Sequence, residues 1–224
     1  MCGRYALHAH PNVIALQLGV AAASGLRPRF NIAPTQEAPI VRAVAGRGRE
    51  LALLRWGLIP SWSRDPSIGA RMINARAETV SEKPSFRAAY VHRRCLVPAT
   101  GYYEWKVEAG RKQPYFLQPA SGELFAMAGL WEQWRSPEGE IAESYAIVTT
   151  ESAGAATQIH HRMPVILAQP DYEAWLSSTN PGVLLRPWAG SALSARRVST
   201  LVNSPRFDDM KCIEEVPESG YTGA

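Results

Sequence analysis

The chain has 224 residues, of which 46% are hydrophobic and 20% charged, with a net charge of +4. That length and balance fit one soluble globular domain with a substantial core, and no apolar run approaches the roughly 18 residues of a membrane span. The start also lacks the basic, then long apolar, pattern of a secretion signal, so a cytoplasmic protein is expected.

Three cysteines, Cys2, Cys95 and Cys212, lie far apart and show no metal-ligand spacing. No metal and no cofactor is expected. Cys95, in Arg-Cys-Leu-Val-Pro, reads as a buried strand residue. Arginine outnumbers lysine by 20 to 4. The guanidinium forks onto phosphate oxygens, which points to an anionic partner, but a GC-rich genome raises arginine and alanine together. Only arginines inside motifs therefore carry individual weight.

In chain order, residues 11–22 predict a helix opened by Pro11. Residues 39–44 and 50–56 predict two strands around the Gly46–Gly48 turn. Residues 84–92 predict a short helix behind Pro84. A strand-rich centre follows at 94–98, 102–107, 113–118, 123–131 and 144–150, with turns at Gly110, Pro119–Gly122 and Ser136–Gly139 making hairpins. Residues 151–159 and 170–177 predict short helices, and 197–202 a late strand. Strands in runs with helices at the margins predict an α+β fold: a single domain over residues 1–224, with a mostly antiparallel, barrel-like curled sheet flanked by short helices. The C-terminal 15 residues or so read as a loose tail.

Four polar clusters interrupt this scaffold. The first is Cys2-Gly3-Arg4-Tyr5. A side chain as small as cysteine favours removal of Met1, which leaves a thiol and a free α-amine on adjacent carbons. Such a 1,2-aminothiol captures an aldehyde through two bonds, an imine and then a ring-closing C–S bond. The second cluster is Trp56-Gly-Leu-Ile-Pro-Ser-Trp62, closely followed by Ile73-Asn-Ala-Arg-Ala-Glu-Thr79. Asn74 fits either a hydrogen-bonding positioner or a turn residue. Trp62 fits either a base-stacking platform or a core residue under a loop. The third is Gly101-Tyr-Tyr-Glu-Trp105. Glu104 among aromatic rings fits a proton shuttle with a raised pKa, or a surface glutamate on a hairpin. The fourth is Ile159-His-His-Arg-Met-Pro164, where His160 fits a general acid or base, or a helix-end histidine.

Together with Asn31-Ile-Ala-Pro34, these segments, in this order, resemble the SRAP family, the SOS response-associated peptidases or abasic-site processing proteins. The resemblance runs from residue 2 to about residue 203. It implies a monomeric SOS-response DNA-repair protein, nucleoid-associated when bound to damaged DNA. Its partner is single-stranded DNA containing abasic sites, junctions with duplex included. Cys2 is the implied nucleophile, cross-linking to the ring-opened sugar as a thiazolidine. Asn74 is the implied holder of the terminus and sugar, Glu104 the acid/base at the Cys2 amine, and His160 the proton donor to the sugar oxygen. Arg4, Arg76 and Arg162 are the implied phosphate ligands; Asn31, Pro34 and Trp62 line the DNA path. Lyase cleavage and autoproteolytic loss of Met1 are the associated activities. His161 stands where many relatives have an acidic residue, so His160 is preferred to it on register alone. Ser63 follows Trp62 where some members carry a second aromatic. A peptidase and a non-catalytic reader of single-stranded DNA are the rival functions.

Overall fold

The computed structural model describes residues 2–21, 25–189 and 192–217. In chain order the elements are β1 (Arg4–Leu7), α1 (Pro11–Leu18), β2 (Arg29–Ile32), β3 (Glu37–Val44), β4 (Gly48–Trp56), β5 (Asn74–Arg76), α2 (Arg87–His92), β6 (Arg94–Ala99), β7 (Gly101–Glu108), β8 (Arg111–Pro119), β9 (Phe125–Arg135), β10 (Ile141–Glu151), β11 (Arg162–Pro164), β12 (Ile166–Leu167), α3 (Tyr172–Ser177) and β13 (Leu193–Arg197).

The fold is α+β and mostly antiparallel, as expected. Five strands close on themselves in the order β4-β3-β6-β9-β10 and back to β4. Closure leaves no free edge in this ring. Every pairing in it is antiparallel except β10 with β4. Where β6 crosses β9, Cys95 lies opposite Gly129, and a Cβ on Gly129 would come within 2.7 Å of Val97 Cγ2 and 2.8 Å of Cys95 Sγ. Glycine at 129 thus leaves the space that the Val97 and Cys95 side chains fill. Short strands extend the ring: β5 and β11 pair with β10, and β12 with β9.

A second sheet runs β13-β8-β7-β1-β2. Side chains alternate across it. Tyr5, Tyr102 and Leu117 join the main core with Leu96, Met127 and Tyr145 of the ring. Ala6, Tyr103 and Phe116 face the other way and are covered by Val198, Val202 and Cys212 of the C-terminal segment. Both faces of β7 are thus buried at its first four residues.

Several expectations need correction. Helix α1 stops at Leu18 because Gly19 adopts a left-handed conformation, with φ of 66°, that ends the helix. Pro84 precedes α2 by a turn rather than opening it. The Pro119–Gly122 turn does not make a hairpin: it carries the chain from β8 in one sheet to β9 in the other. The late strand is Leu193–Arg197, and Thr200–Asn203 is a 3-10 turn. Residues 154–158 form a 3-10 turn as well. Nor is the C-terminal segment loose as far as it is described. Val198 bridges Glu215, and Val216 N–H donates to Arg197 O at 3.0 Å. The rest of that tail, from residue 218, and Met1 lie outside the described residues.

The C-terminal segment also completes the edge strand β2. The Asp208 carboxylate accepts from Phe30 N at 2.6 Å and Asn31 N at 2.8 Å, and pairs with Arg29. Asn31 is fully buried, and its amide nitrogen donates to the carbonyls of Val202, Ser204 and Phe207 at 3.2, 3.0 and 2.7 Å. Losing either side chain leaves buried backbone groups unsatisfied. Asp208→Ala and Asn31→Ala are each expected to cost about 1–3 kcal/mol. A lower urea midpoint at unchanged slope is the expected readout; midpoints equal to the parent's would refute the clasp.

Candidate active site

The site is assembled at the start of β1. That strand pairs antiparallel with β7, with Arg4 opposite Tyr103 and Tyr5 opposite Tyr102. Continuing this register sets Gly3 opposite Glu104. Cys2 is fully buried, and its sulfur lies 3.9 Å from Arg4 O. Asn74 opens β5, which is set parallel against β10 with Asn74 level with Ile147. From there its Nδ2 donates to Cys2 O at 2.9 Å, while its Oδ1 is buried without a hydrogen-bond partner. Asn74 is therefore a strand residue that holds the Cys2 carbonyl, not a turn residue.

Glu104 is only 4% exposed, which removes the surface reading. Tyr102, two residues earlier on the same strand face, buries its hydroxyl without a hydrogen-bond partner. His160 follows the 3-10 turn at 154–158, and its amide donates to Ala156 O at 3.0 Å. Its Nδ1 accepts from Arg162 N at 3.0 Å and lies 3.9 Å from Glu104 Oε1. His161 stacks on His160 with ring centroids 4.3 Å apart, but is itself exposed. The structure thus brings together Cys2, Asn74, Glu104 and His160 from four separate segments.

Burial dominates the electrostatics here. It pushes the Cys2 thiol well up, and the negative charge of Glu104 pushes it further. It pushes Glu104 above the usual carboxylate range and His160 below the usual imidazole range. The site therefore favours the neutral forms of all three groups, which is the condition for passing single protons among them. Among the described residues no cluster of three or more His, Cys, Asp or Glu could hold a metal ion. No described helix is long and apolar enough to cross a membrane.

The expected DNA ligands fall into two sets. Arg4 is half-buried beside Cys2, with Nη1 donating to Gly3 O at 2.8 Å, and Arg76 is exposed at the end of β5. Trp62 is 59% exposed on its loop, so it is no core residue. Pro34 is half-buried next to Thr35, whose φ of 71° turns the chain sharply. Asn31 and Arg162 differ. Asn31 is enclosed by the C-terminal segment and offers nothing to a ligand on the surface. Arg162 is 8% exposed and forks onto Glu78 at 2.5 and 3.0 Å. Sequence reasoning missed Glu78 because its partner lies 84 residues away. The Tyr5–Tyr145 hydroxyl pair, 2.7 Å apart in the same core as Cys2, was equally invisible.

The family profile described as SOS response associated peptidase (SRAP) matches residues 1–205. A Bacillus subtilis protein named abasic site processing protein YoqW is 41% identical over 224 residues, covering 96% of this chain and 99% of that protein. The abasic site processing protein HMCES of Gallus gallus is 33% identical, over 84% of this chain and 66% of its own. A crystal structure of a Bacteroides thetaiotaomicron protein has a TM-score of 0.85 at 30% identity, covering 96% of this chain and all of the other. Sequence and fold agree along nearly the whole length, and the chain belongs to the SRAP family.

Proposed function

We propose that this protein processes abasic sites by covalent capture. It binds single-stranded DNA, at junctions with duplex included, and links Cys2 to the ring-opened sugar. The observation that carries this reading is the convergence of Asn74, Glu104 and His160 on a buried cysteine one residue from the start of the sequence. The named function of the relatives at 41% and 33% identity supports the same substrate.

The reaction begins once Met1 is removed. A free α-amine has a reference pKa of about 7.7–8.0, so a useful fraction is neutral near pH 7. The amine nitrogen adds to the sugar C1′ aldehyde. The carbinolamine loses water, its oxygen taking a proton, and an imine forms. The Cys2 sulfur then adds to the same carbon, and its proton passes to the nitrogen, closing the thiazolidine. Aldehyde and aminothiol thus become ring plus one water. Glu104 takes and returns protons at the amine, and His160 delivers one to the sugar oxygen. Placing amine and thiol on one residue supplies effective molarities that reach about 10⁵ M, and acid/base help adds about 10²–10⁴. The imine stage also allows β-elimination of the 3′ phosphate, which gives lyase cleavage. Arg4 and Arg76 hold phosphates beside the reacting sugar, and Trp62 offers a stacking face.

The family's peptidase description favours a second, preparatory event, in which Cys2 and Glu104 release Met1. Intact mass reads both events. Loss of one methionine residue is expected before incubation with an abasic oligonucleotide, and gain of the oligonucleotide less one water afterwards. Cys2→Ala is expected to give no such species; an undiminished yield of stable adduct would end the thiazolidine reading. Salt-dependent binding of DNA with no covalent species from the parent protein would instead favour a non-catalytic reader.

His160→Ala is expected to slow single-turnover adduct formation by about 10²-fold or more, and His161→Ala far less. Equal losses would overturn the assignment between the two histidines.

Glu104 carries a stability cost that follows from its burial. Its folded pKa lies above the unfolded value. The folded state therefore holds the Glu104 proton more tightly, an advantage present at low pH and lost as pH rises through the folded pKa. Glu104→Gln stays neutral throughout. It is expected to melt at a higher temperature than the parent at neutral pH, with the gap closing towards pH 4. A constant gap across that range would contradict the desolvated carboxylate.

A further inference from the structure

Arg162 is well placed to grip something, and it already does. Its Nη1 and Nη2 donate to the two Glu78 oxygens at 2.5 and 3.0 Å, and Nη2 also donates to Thr149 O at 2.6 Å. The same Thr149 carbonyl accepts from Ala77 N at 2.8 Å. One carbonyl of β10 therefore staples together the residue before Glu78 and the guanidinium that Glu78 clamps. A bidentate fork fixes direction as well as distance.

The backbone of Arg162 faces the catalytic cluster. Its N–H donates to His160 Nδ1 at 3.0 Å. A ring nitrogen that accepts an amide proton does not carry one of its own. The same Nδ1 lies 3.3 Å from Arg162 O, a longer contact in which it would have to donate; the shorter amide contact favours the neutral imidazole with its proton on Nε2. A continuous set of contacts thus runs from exposed Glu78, through Arg162, to the tautomer of His160.

We propose that Glu78 is a positioning residue for His160: by clamping Arg162 it holds the amide that fixes the imidazole with its proton on Nε2. The inference rests on the covalent-capture reading and adds to it a residue outside the reacting groups. The rival role for Glu78 is a placeholder that a DNA phosphate displaces from Arg162. The geometry disfavours it. Arg162 is 8% exposed, its Nε is buried, and a phosphate taking over Nη2 would have to displace the Thr149 carbonyl together with Glu78. The Glu78 carboxylate itself is half exposed, at 46%, so the pair adds little to stability and its value lies in direction.

The test combines Glu78→Ala and Glu78→Gln with kinetics, binding and NMR. At saturating abasic single-stranded DNA, Glu78→Ala is expected to lower the first-order rate of adduct formation about tenfold, as loss of an orienting partner commonly does. Glu78→Gln, which keeps one acceptor for the fork, restores part of that rate. Affinity for an undamaged oligonucleotide of the same length is expected to change less than about twofold, since uniform binding is untouched. In a His160→Ala background Glu78→Ala should have no further effect on rate. In the DNA-free protein, the two ¹⁵N shifts of the His160 ring are expected to be well separated in the parent and to draw together in Glu78→Ala as the tautomer is released. Tighter binding of the undamaged oligonucleotide with an undiminished rate would identify a phosphate placeholder and overturn the proposal, as would unchanged ring shifts. If the parent protein forms no adduct at all, the capture reading falls, and the ring shifts still decide the role of Glu78.

Discussion

Pairing of β1 with β7 is the contact on which the site depends. A chain end is usually the least ordered part of a domain. Here it is the middle of a sheet: β1 lies between β7 and β2, and β2 in turn is closed off by Asp208 and Asn31. The Asn74 amide then holds the carbonyl of Cys2 itself. Ordering a terminus costs conformational entropy, about 1–2 kcal/mol per residue. Folding itself meets that cost, so Cys2 is held in place by the fold alone, as the proposed capture of DNA requires. Gly101 shows how tight this arrangement is. A Cβ there would fall 2.1 Å from the Phe116 ring, which packs beneath β7 on the face away from the site.

Burial sets the chemical character of the cluster. A thiol, a carboxyl and an imidazole lie in one desolvated region, and each shifts towards its uncharged form. Neutral groups are poor at attracting phosphate and good at exchanging protons with one another. The proposed capture reaction divides the labour accordingly: charge for holding DNA on Arg4 and Arg76 at the margin, proton transfer inside. The same burial makes Glu104 a destabilising residue whenever it ionises, the usual penalty for an active-site group kept where the fold alone would prefer an apolar one.

Local sequence carried some of this and not the rest. The β3–β4 and β7–β8 hairpins were legible because Gly46–Gly48 and Gly110 supply left-handed turns between strand-like runs. The β8–β9 connection has the same turn chemistry, at Pro119–Gly122, and yet joins two different sheets. Turn residues report a reversal of direction, not the partner of the strand that follows. β1 and β2 escaped notice because each is four residues long and ordered by neighbours far away in sequence. Motifs singled out Cys2, Glu104, Asn74 and His160 as candidates; burial then removed the surface reading of Glu104, and the hydrogen bond to Cys2 the turn reading of Asn74. Asn31 and Arg162, expected along the DNA path, are engaged within the protein instead, and local sequence did not show it. A polar side chain in a motif advertises hydrogen-bonding capacity, and nothing local says whether the protein has already used it.

That reason extends to the arginine excess as a whole. Arg29, Arg42, Arg49, Arg93, Arg162 and Arg197 all pair with carboxylates, and most of these links join segments distant in sequence. Arg42 also lies 4.2 Å over the Trp131 ring, a packing role that a lysine fills less well. Arg94 is buried and donates to the carbonyls of Tyr90, Val91, Trp175 and Ser178, tying α2 to α3. Part of the guanidinium content is therefore internal strutting that a planar, five-donor fork performs better than an ammonium. Of the arginines without a carboxylate partner, two lie beside the candidate site. Arg4 and Arg76 have no carboxylate partner among the described residues and stand on the two strands that present Cys2 and Asn74. A modest net charge of +4 is then no argument against the proposed DNA binding, because the relevant field is the local one beside Cys2.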